Sequence, residues 1–360
     1  MYIFAQLVIF LLYIIPYFNI FRIINLFKLK ENLSIFVNMI KKTINDKELE
    51  EHLKSLEEDK LRIFTMANGR VRGALFHGSH FVNQIRLQHN LGILETYILG
   101  QASLCAALTI PMMKDKEHTV IKYEGSGPVD GYNVEADSTG YVRGYLYNEH
   151  IKINKPLENW DLKDFLGPGN ITFSRVHKDD KFPQASTVDV DGNNIAQDFA
   201  TYFAQSEQIN TAFNSSIQFD KEGRVIGAGA MYLQIMPKTG GTEKLGAQVD
   251  SHQEETEDEE KLLQKVENAF RACPSIGQLY SEKEVDSEDI ILGLFREFKP
   301  SITMKRDIVY DCPCNEGYYI SYLKSLPKDQ IEDIKKNGPD PLEIICRNCG
   351  SVYHIPVSKI

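Results

Sequence analysis

The sequence turns on two short stretches, DCPCN (311–315) and ICRNCG (345–350). They carry four of the chain's six cysteines, Cys312, Cys314, Cys346 and Cys349, all within the last fifty of 360 residues. Thirty-one residues separate the Cys-Pro-Cys pair from the Cys-Arg-Asn-Cys pair. Two runs in that gap, 317–326 and 327–336, have helical character, with Ser325 placed to cap the second and Asn337-Gly338 to close it. A helical hairpin would bring the pairs together, and four thiolates are the donor set of a tetrahedral zinc site. A unit of about 50 residues buries too little core to fold unaided, so the metal would supply much of its folding free energy. Four unrelated thiols are the plainer reading, but two close pairs at ligand spacing stand against it. His354 would be a fifth donor to a complete set and is read as a supporting or surface group.

The first pair encloses one residue, not two. Structural zinc ribbons use two or more on both sides. Cysteines this close cannot wrap a metal with the usual ribbon turn, yet they can close on each other as a tight, readily reduced disulfide. The spacing therefore predicts a metal centre that oxidation can dismantle. A zinc ribbon that binds nucleic acid or protein partners is the alternative. For nucleic acid it should show a basic stripe interleaved with aromatics, and residues 311–360 hold seven acidic and six basic side chains. A dedicated oxidoreductase should place one Cys-x-x-Cys at the start of a helix, whereas Cys349 runs into Gly-Ser-Val-Tyr, a turn into a strand. No GxSxG, phosphate loop, HExxH or dinucleotide fingerprint is present, and no enzymatic activity is expected.

Upstream, 261–310 reads as a helical linker. Leu262, Leu263, Val266 and Phe270 make one apolar stripe, interrupted at Pro274 and Gly277. A second helix is signalled by Asp286 and runs through IILGLFREF to Pro300, with Gly293 inside it. Such short, broken helices are marginal unless they pack on a neighbour. Residues 238–260 form an acidic loop: seven of the eleven residues from Asp250 to Glu260 are acidic, the pattern of a solvated, mobile segment.

Residues 69–237 read as an α+β domain. One or two helices cover 84–110, and the small apolar run 102–110 suggests burial, with Cys105 as a buried hydrophobe inside it. Strands follow at 119–125, 141–147, 170–176, 216–220 and 229–237, the last two joined by a Lys221–Gly223 turn. A helix at 195–208 carries Ile195, Phe199 and Phe203 on one face. Residues 39–68 are a polar, helix-favouring lead-in with Leu49, Leu53 and Leu56 in register.

Residues 1–38 stand apart. The first 21 carry no charge and are long enough to span a bilayer, with Arg22, Lys28 and Lys30 behind them, but they lack the basic start of a secretory signal. Of the 38, 29 are Ile, Phe, Leu, Tyr, Asn or Lys, residues that codons of A and T alone can encode. Either this is a membrane anchor or translation begins at Met39, and the second is expected. Fifty acidic against 40 basic residues give a net charge of −10, which argues against a phosphate-gripping surface. Six cysteines in this length cannot be a disulfide scaffold.

These residues resemble one family, the heat-shock protein 33 holdase chaperones, over roughly 69–355. The Cys-x-Cys, thirty-one-residue gap and Cys-x-x-Cys array carries the likeness. Glu124-Gly-Ser-Gly-Pro128, Ser206-Glu-Gln208, Gly229-Ala-Met-Tyr-Leu-Gln-Ile-Met-Pro237 and Arg70-Val-Arg-Gly73 support it. The resemblance implies an α+β domain with a mixed sheet, a metastable helical linker and a C-terminal zinc unit. It implies a cytoplasmic, ATP-independent chaperone in which Cys312, Cys314, Cys346 and Cys349 hold one zinc when reduced. Oxidation would pair Cys312 with Cys314 and Cys346 with Cys349, release the zinc and favour a homodimer that holds unfolded client proteins. Leu262, Val266, Phe270, Ile291, Leu294 and Phe295 of the linker would then be available to clients. Residues 1–60 have no counterpart in the likeness, the acidic stretch is an enlarged loop, and Gln205 stands where the family often has a basic residue.

Overall fold

The strand signals resolve into two large sheets and a small hairpin. The structure is a computed structural model that describes residues 39–153, 159–236 and 257–360. Residues 1–38 and most of the acidic stretch lie outside these, and residues 257–260 belong to a helix.

Helix α1 (Lys47–Lys54) is capped by Asp46, whose side chain accepts from Leu49 N, and it buries Leu49 and Leu53. Strands β1 (Leu61–Met66) and β2 (Val71–His77) form a hairpin. Helices α2 (Ser79–His89) and α3 (Ile93–Thr109) follow, separated at Asn90, which takes a left-handed conformation. Helix α3 is buried on almost every face. With its 3₁₀ extension to Met112 it is the one described helix long and apolar enough to cross a bilayer, and 89% of its most apolar stretch is buried inside the protein. Next come β3 (Glu117–Gly125), β4 (Gly131–Asp137), β5 (Tyr141–Leu146), the short α4 (Lys163–Leu166), β6 (Gly169–His177) and β7 (Gln184–Val190). Helix α5 (Ile195–Tyr202), capped by Asn194, passes into a π-type turn (Phe203–Glu207) capped by Gln208, so the expected end is kept but the last six residues are not α-helical. A long hairpin, β8 (Thr211–Phe219) and β9 (Val225–Ile235), turns at Lys221–Gly223 as its residues suggest, with Gly223 at φ +75°.

The linker supplies α6 (Glu257–Arg271), α7 (Ile276–Leu279) and α8 (Ser287–Phe295), the last capped by Asp286. Its final ten residues are not helical. They form β10 (Ser301–Arg306) and β11 (Val309–Tyr310), which join the two large sheets. The C-terminal unit holds α9 (Glu316–Lys324), α10 (Lys328–Asn337) and the hairpin β12 (Leu342–Ile345) and β13 (Val352–Ile355). Ser325 does not cap α10. It sits at the end of α9, where its hydroxyl donates back to Tyr322 O, and Pro327 takes the cap position.

One sheet runs β10-β1-β2-β9-β8, antiparallel throughout. The other runs β11-β5-β4-β3-β6-β7 and is mixed, because β11 joins β5 in parallel. The central strands β2 and β9 of the five-stranded sheet are buried on both faces. Leu61, Ala74, Ala228, Ala230 and Tyr232 face the large core around α3, while Phe64, Val71, Leu75, Met231 and Leu233 face the linker helices. Two-sided burial explains why β2 and β9 read as continuous apolar runs instead of alternating ones.

Candidate metal centre

Cys312 and Cys314 follow directly on β11; Cys346 and Cys349 form the turn between β12 and β13. The hairpin α9–α10 closes the gap between the pairs, as the spacing requires. All four cysteines are buried, and their Sγ atoms lie within 4.8 Å of one another. Cys312 Sγ is 3.9 Å from Cys346 Sγ and Cys314 Sγ is 3.3 Å from Cys349 Sγ. A tetrahedral zinc with bonds of about 2.3 Å sets sulfurs about 3.8 Å apart, so the donor set fits the ion's size and chemistry. These four residues could hold a metal ion. Within the cluster the thiols share protons. Hydrogen bonding from Cys314 and then Cys349, with the charge of Arg143 behind them, outweighs Cys346 and burial and pulls Cys312 down to about 7. Cys346 is likewise held below the usual thiol range by hydrogen bonds from the other three cysteines. The partners that keep the protons, Cys314 and Cys349, move upward. A divalent cation held there would take the place of those protons.

The surrounding groups were not evident from sequence. Tyr353 OH lies 3.2 Å from Cys314 Sγ and 3.0 Å from Cys314 O. Cys349 Sγ is 3.2 Å from Ser351 Oγ. His354, by contrast, is an exposed residue on β13. Alternation in the hairpin alone would have set Tyr353 inward and His354 outward.

The cysteine unit is seated on β5. Arg143 Nη1 donates to Cys312 Sγ at 3.3 Å, Gly144 N to Asn348 O at 3.2 Å, and the Arg347 guanidinium stacks 4.3 Å from the Tyr145 ring centroid. Tyr310, just before Cys312, donates to Gly144 O and Asn348 O and meets His89 Nε2 at 2.8 Å. Gln88 donates to Cys349 O at 2.9 Å, and a Cβ on Gly350 (φ +63°) would overlap Gln88 O. Only glycine allows that approach. Behind Arg143, burial works to raise the Glu135 carboxyl, but Arg143 and His118 outweigh it and hold Glu135 at about 2.

The linker candidates gather elsewhere. Val266, Phe270, Ile291 and Phe295 are buried, and Leu262 and Leu294 half-buried, against the outer face of the five-stranded sheet. Cys105 lies in the main core, where burial pushes its thiol up to about 12; Cys273, half-buried beside the linker, is pushed up to about 11. Neither belongs to the cluster.

A family model described as Hsp33 protein matches residues 59–356. The 33 kDa chaperonin of Thermotoga maritima is 31% identical over 294 residues, 80% of this chain and 91% of that protein. Its counterpart from Aquifex aeolicus is 27% identical over 326 residues, 87% and 94% of the two chains. The crystal structure of the Thermotoga maritima 33 kDa chaperonin, a heat shock protein 33 homolog, matches with a TM-score of 0.71 at 28% identity, covering 84% of this chain and 96% of that one. With the cysteine array, both sheets and the linker inside the matched region, the chain belongs to the Hsp33 protein family.

Proposed function

We propose that this chain is a redox-activated, ATP-independent holdase that keeps unfolding proteins from aggregating. The family's chaperonin names support the chaperone part, and the cysteine cluster supports the switch. Reduced, Cys312, Cys314, Cys346 and Cys349 would hold one zinc, which keeps the thiolates ordered and gives the unit its folding support. Oxidation joins Cys312 Sγ to Cys314 Sγ and Cys346 Sγ to Cys349 Sγ. Each new S–S bond delivers two electrons to the oxidant, and hydrogen peroxide takes them up with two protons to give two waters. Both pairings together remove all four donors.

The observation that carries this reading is the seat of the cluster: its ligand loops are the same loops that dock on β5. Losing the ligand set loosens that dock. Release then passes along β11 and β10 to the linker. As α6–α8 lift, Leu262, Val266, Phe270, Ile291, Leu294 and Phe295 become available to clients, together with the Phe64, Leu75 and Met231 face they cover. The active form is taken to work in the cytoplasm as a homodimer. A nucleic-acid-binding ribbon fits less well, since Arg347, the basic residue between the second pair, is already stacked on Tyr145.

The test is native mass of the reduced protein, which should show one zinc per chain. Peroxide with mild heat, or hypochlorite, should then release it and suppress light scattering from a thermally unfolding client. A folded, reduced protein without zinc, or release without client protection, would sink the reading.

A further inference from the structure

Arg143 on β5 stands directly opposite Glu135 on β4. Glu135 Oε2 accepts from Arg143 Nε at 2.6 Å and lies 2.5 Å from Nη2, so two guanidinium nitrogens converge on one carboxylate oxygen and orient the group. The remaining nitrogen, Nη1, reaches across the interface to Cys312 Sγ at 3.3 Å. The other carboxylate oxygen, Oε1, accepts from Asn348 Nδ2 at 3.5 Å, and His118 Nε2 lies 3.3 Å from Oε2 on the far side. One ion pair thus touches both halves of the cysteine array, and the side chains of Arg143 and Glu135 are 17% and 10% exposed. Two oriented charges at a domain interface are costly to bury without an anionic partner for the outward-facing donor.

We propose that Arg143, held in place by Glu135, is the positioning residue through which the sheet senses the charge of the cysteine cluster. The inference rests on the proposed function and specifies how that switch is coupled to docking. Four thiolates around one divalent zinc carry a net charge of −2, and Arg143 meets that charge at Cys312. Pairing the thiolates in two disulfides transfers four electrons to two equivalents of peroxide, yields four waters with four protons, and leaves sulfurs with no net charge. The contact from Nη1 falls from a charge-assisted bond to a weak one. Glu135 alone then balances Arg143, and the attraction between Arg143 and the cluster no longer helps to hold the unit on β5. The switch is read as electrostatics before anything unfolds.

The full chain tests this with Arg143→Met and Arg143→Lys beside the parent. Zinc content comes from native mass, release from a chromogenic chelator at fixed peroxide, and docking from hydrogen exchange in 311–315 and 346–350. Arg143→Met should keep one zinc per chain, yet release it about tenfold faster, the scale of one lost hydrogen bond to a charged group. It should also lose exchange protection in both loops before any oxidant is added. Parental release should quicken with ionic strength, and that of Arg143→Met should not. Arg143→Lys should recover part of both effects, having the charge without the converging nitrogens. Parental release and protection in Arg143→Met would overturn the inference alone, as would equal impairment of Lys and Met, which would mean packing and not charge. If Arg143→Met does not fold, Glu135→Gln frees the guanidinium and should shift release in the same direction; no shift would again overturn it. A parent that binds no zinc would overturn the proposed function along with it.

Discussion

Asp198 is a charged residue in an uncharged place. It sits in the first turn of α5, 3% exposed, and its Oδ2 finds no hydrogen-bond partner among the described residues. Burial pushes its carboxyl up to about 7, with a Gly192 backbone hydrogen bond offsetting part of the effect and Asp191 adding to it. The folded carboxyl therefore takes up its proton at higher pH than the unfolded one, near 7 against about 4. Folding binds a proton across that window, so the residue's burden on stability grows as pH rises from about 4 through 7. Asp198→Asn should flatten this slope and stabilise the protein at pH 8 by up to a few kcal/mol, with little change at pH 4. Urea midpoints at both pH values measure it. Parallel midpoints in parent and variant would show that Asp198 is not the source.

At the scale of elements, the linker packs directly on the sheet, and the cysteine unit reaches it through β11 and β10. Its stripe packs on the outer face of the five-stranded sheet, and its interruptions are part of that packing. Gly277 N donates to Ser216 Oγ at 2.8 Å, and a Cβ on Gly227 would overlap Gly277 O. Tyr280 stacks on His77 at 4.1 Å and reaches Ser287 Oγ, which in turn bonds Glu57 of the lead-in. Gly293 differs. It is exposed in mid-helix, and a Cβ there would meet nothing within 4 Å. Gly293→Ala should stabilise the ordered linker by roughly 1 kcal/mol, about a fivefold shift against opening. Light scattering of a client at fixed oxidant dose should show correspondingly weaker protection. If hydrogen exchange confirms a more protected linker while clients are held as well as by the parent, the linker is not the gate.

At the scale of the whole molecule, the lead-in ties the cysteine unit and the linker to the α+β domain. Met39 is 4% exposed and lies in the same core cluster as the four cysteines. Ile40 O accepts from Gln88 Nε2 at 3.0 Å and from Ser351 Oγ at 3.3 Å, while Lys42 N donates to Gln88 Oε1 at 2.6 Å. A chain beginning at Met39 keeps every one of these contacts. It should bind zinc and protect clients as the full chain does. A chain beginning at Asp46 should release zinc at a lower oxidant dose, because Gln88 and Ser351 lose partners beside Cys349. Zinc release curves for the three lengths decide the matter. Recovery of the native protein in washed membranes with residues 1–21 attached would overturn the view that these residues are dispensable.

The sequence by itself determined the cluster, the α+β class and the order of parts. Two cysteine pairs at ligand spacing leave few chemistries open, and β8–β9 and the α8 cap are set by neighbours a few residues apart. Local signals could not supply β1, β2, β4, β7 and β10. Strands buried on both faces lose their alternation, and β10, largely exposed, is a strand because it pairs with β1 from 240 residues away. Nor could they supply the dock. Arg143 lies 169 residues from Cys312, and its role comes from Glu135 across a strand pair and from a unit that the chain returns to β5 only after the linker. Ligand chemistry is local and can be read along the chain. The partner that makes it a switch is a contact between distant segments, and only packing brings those together.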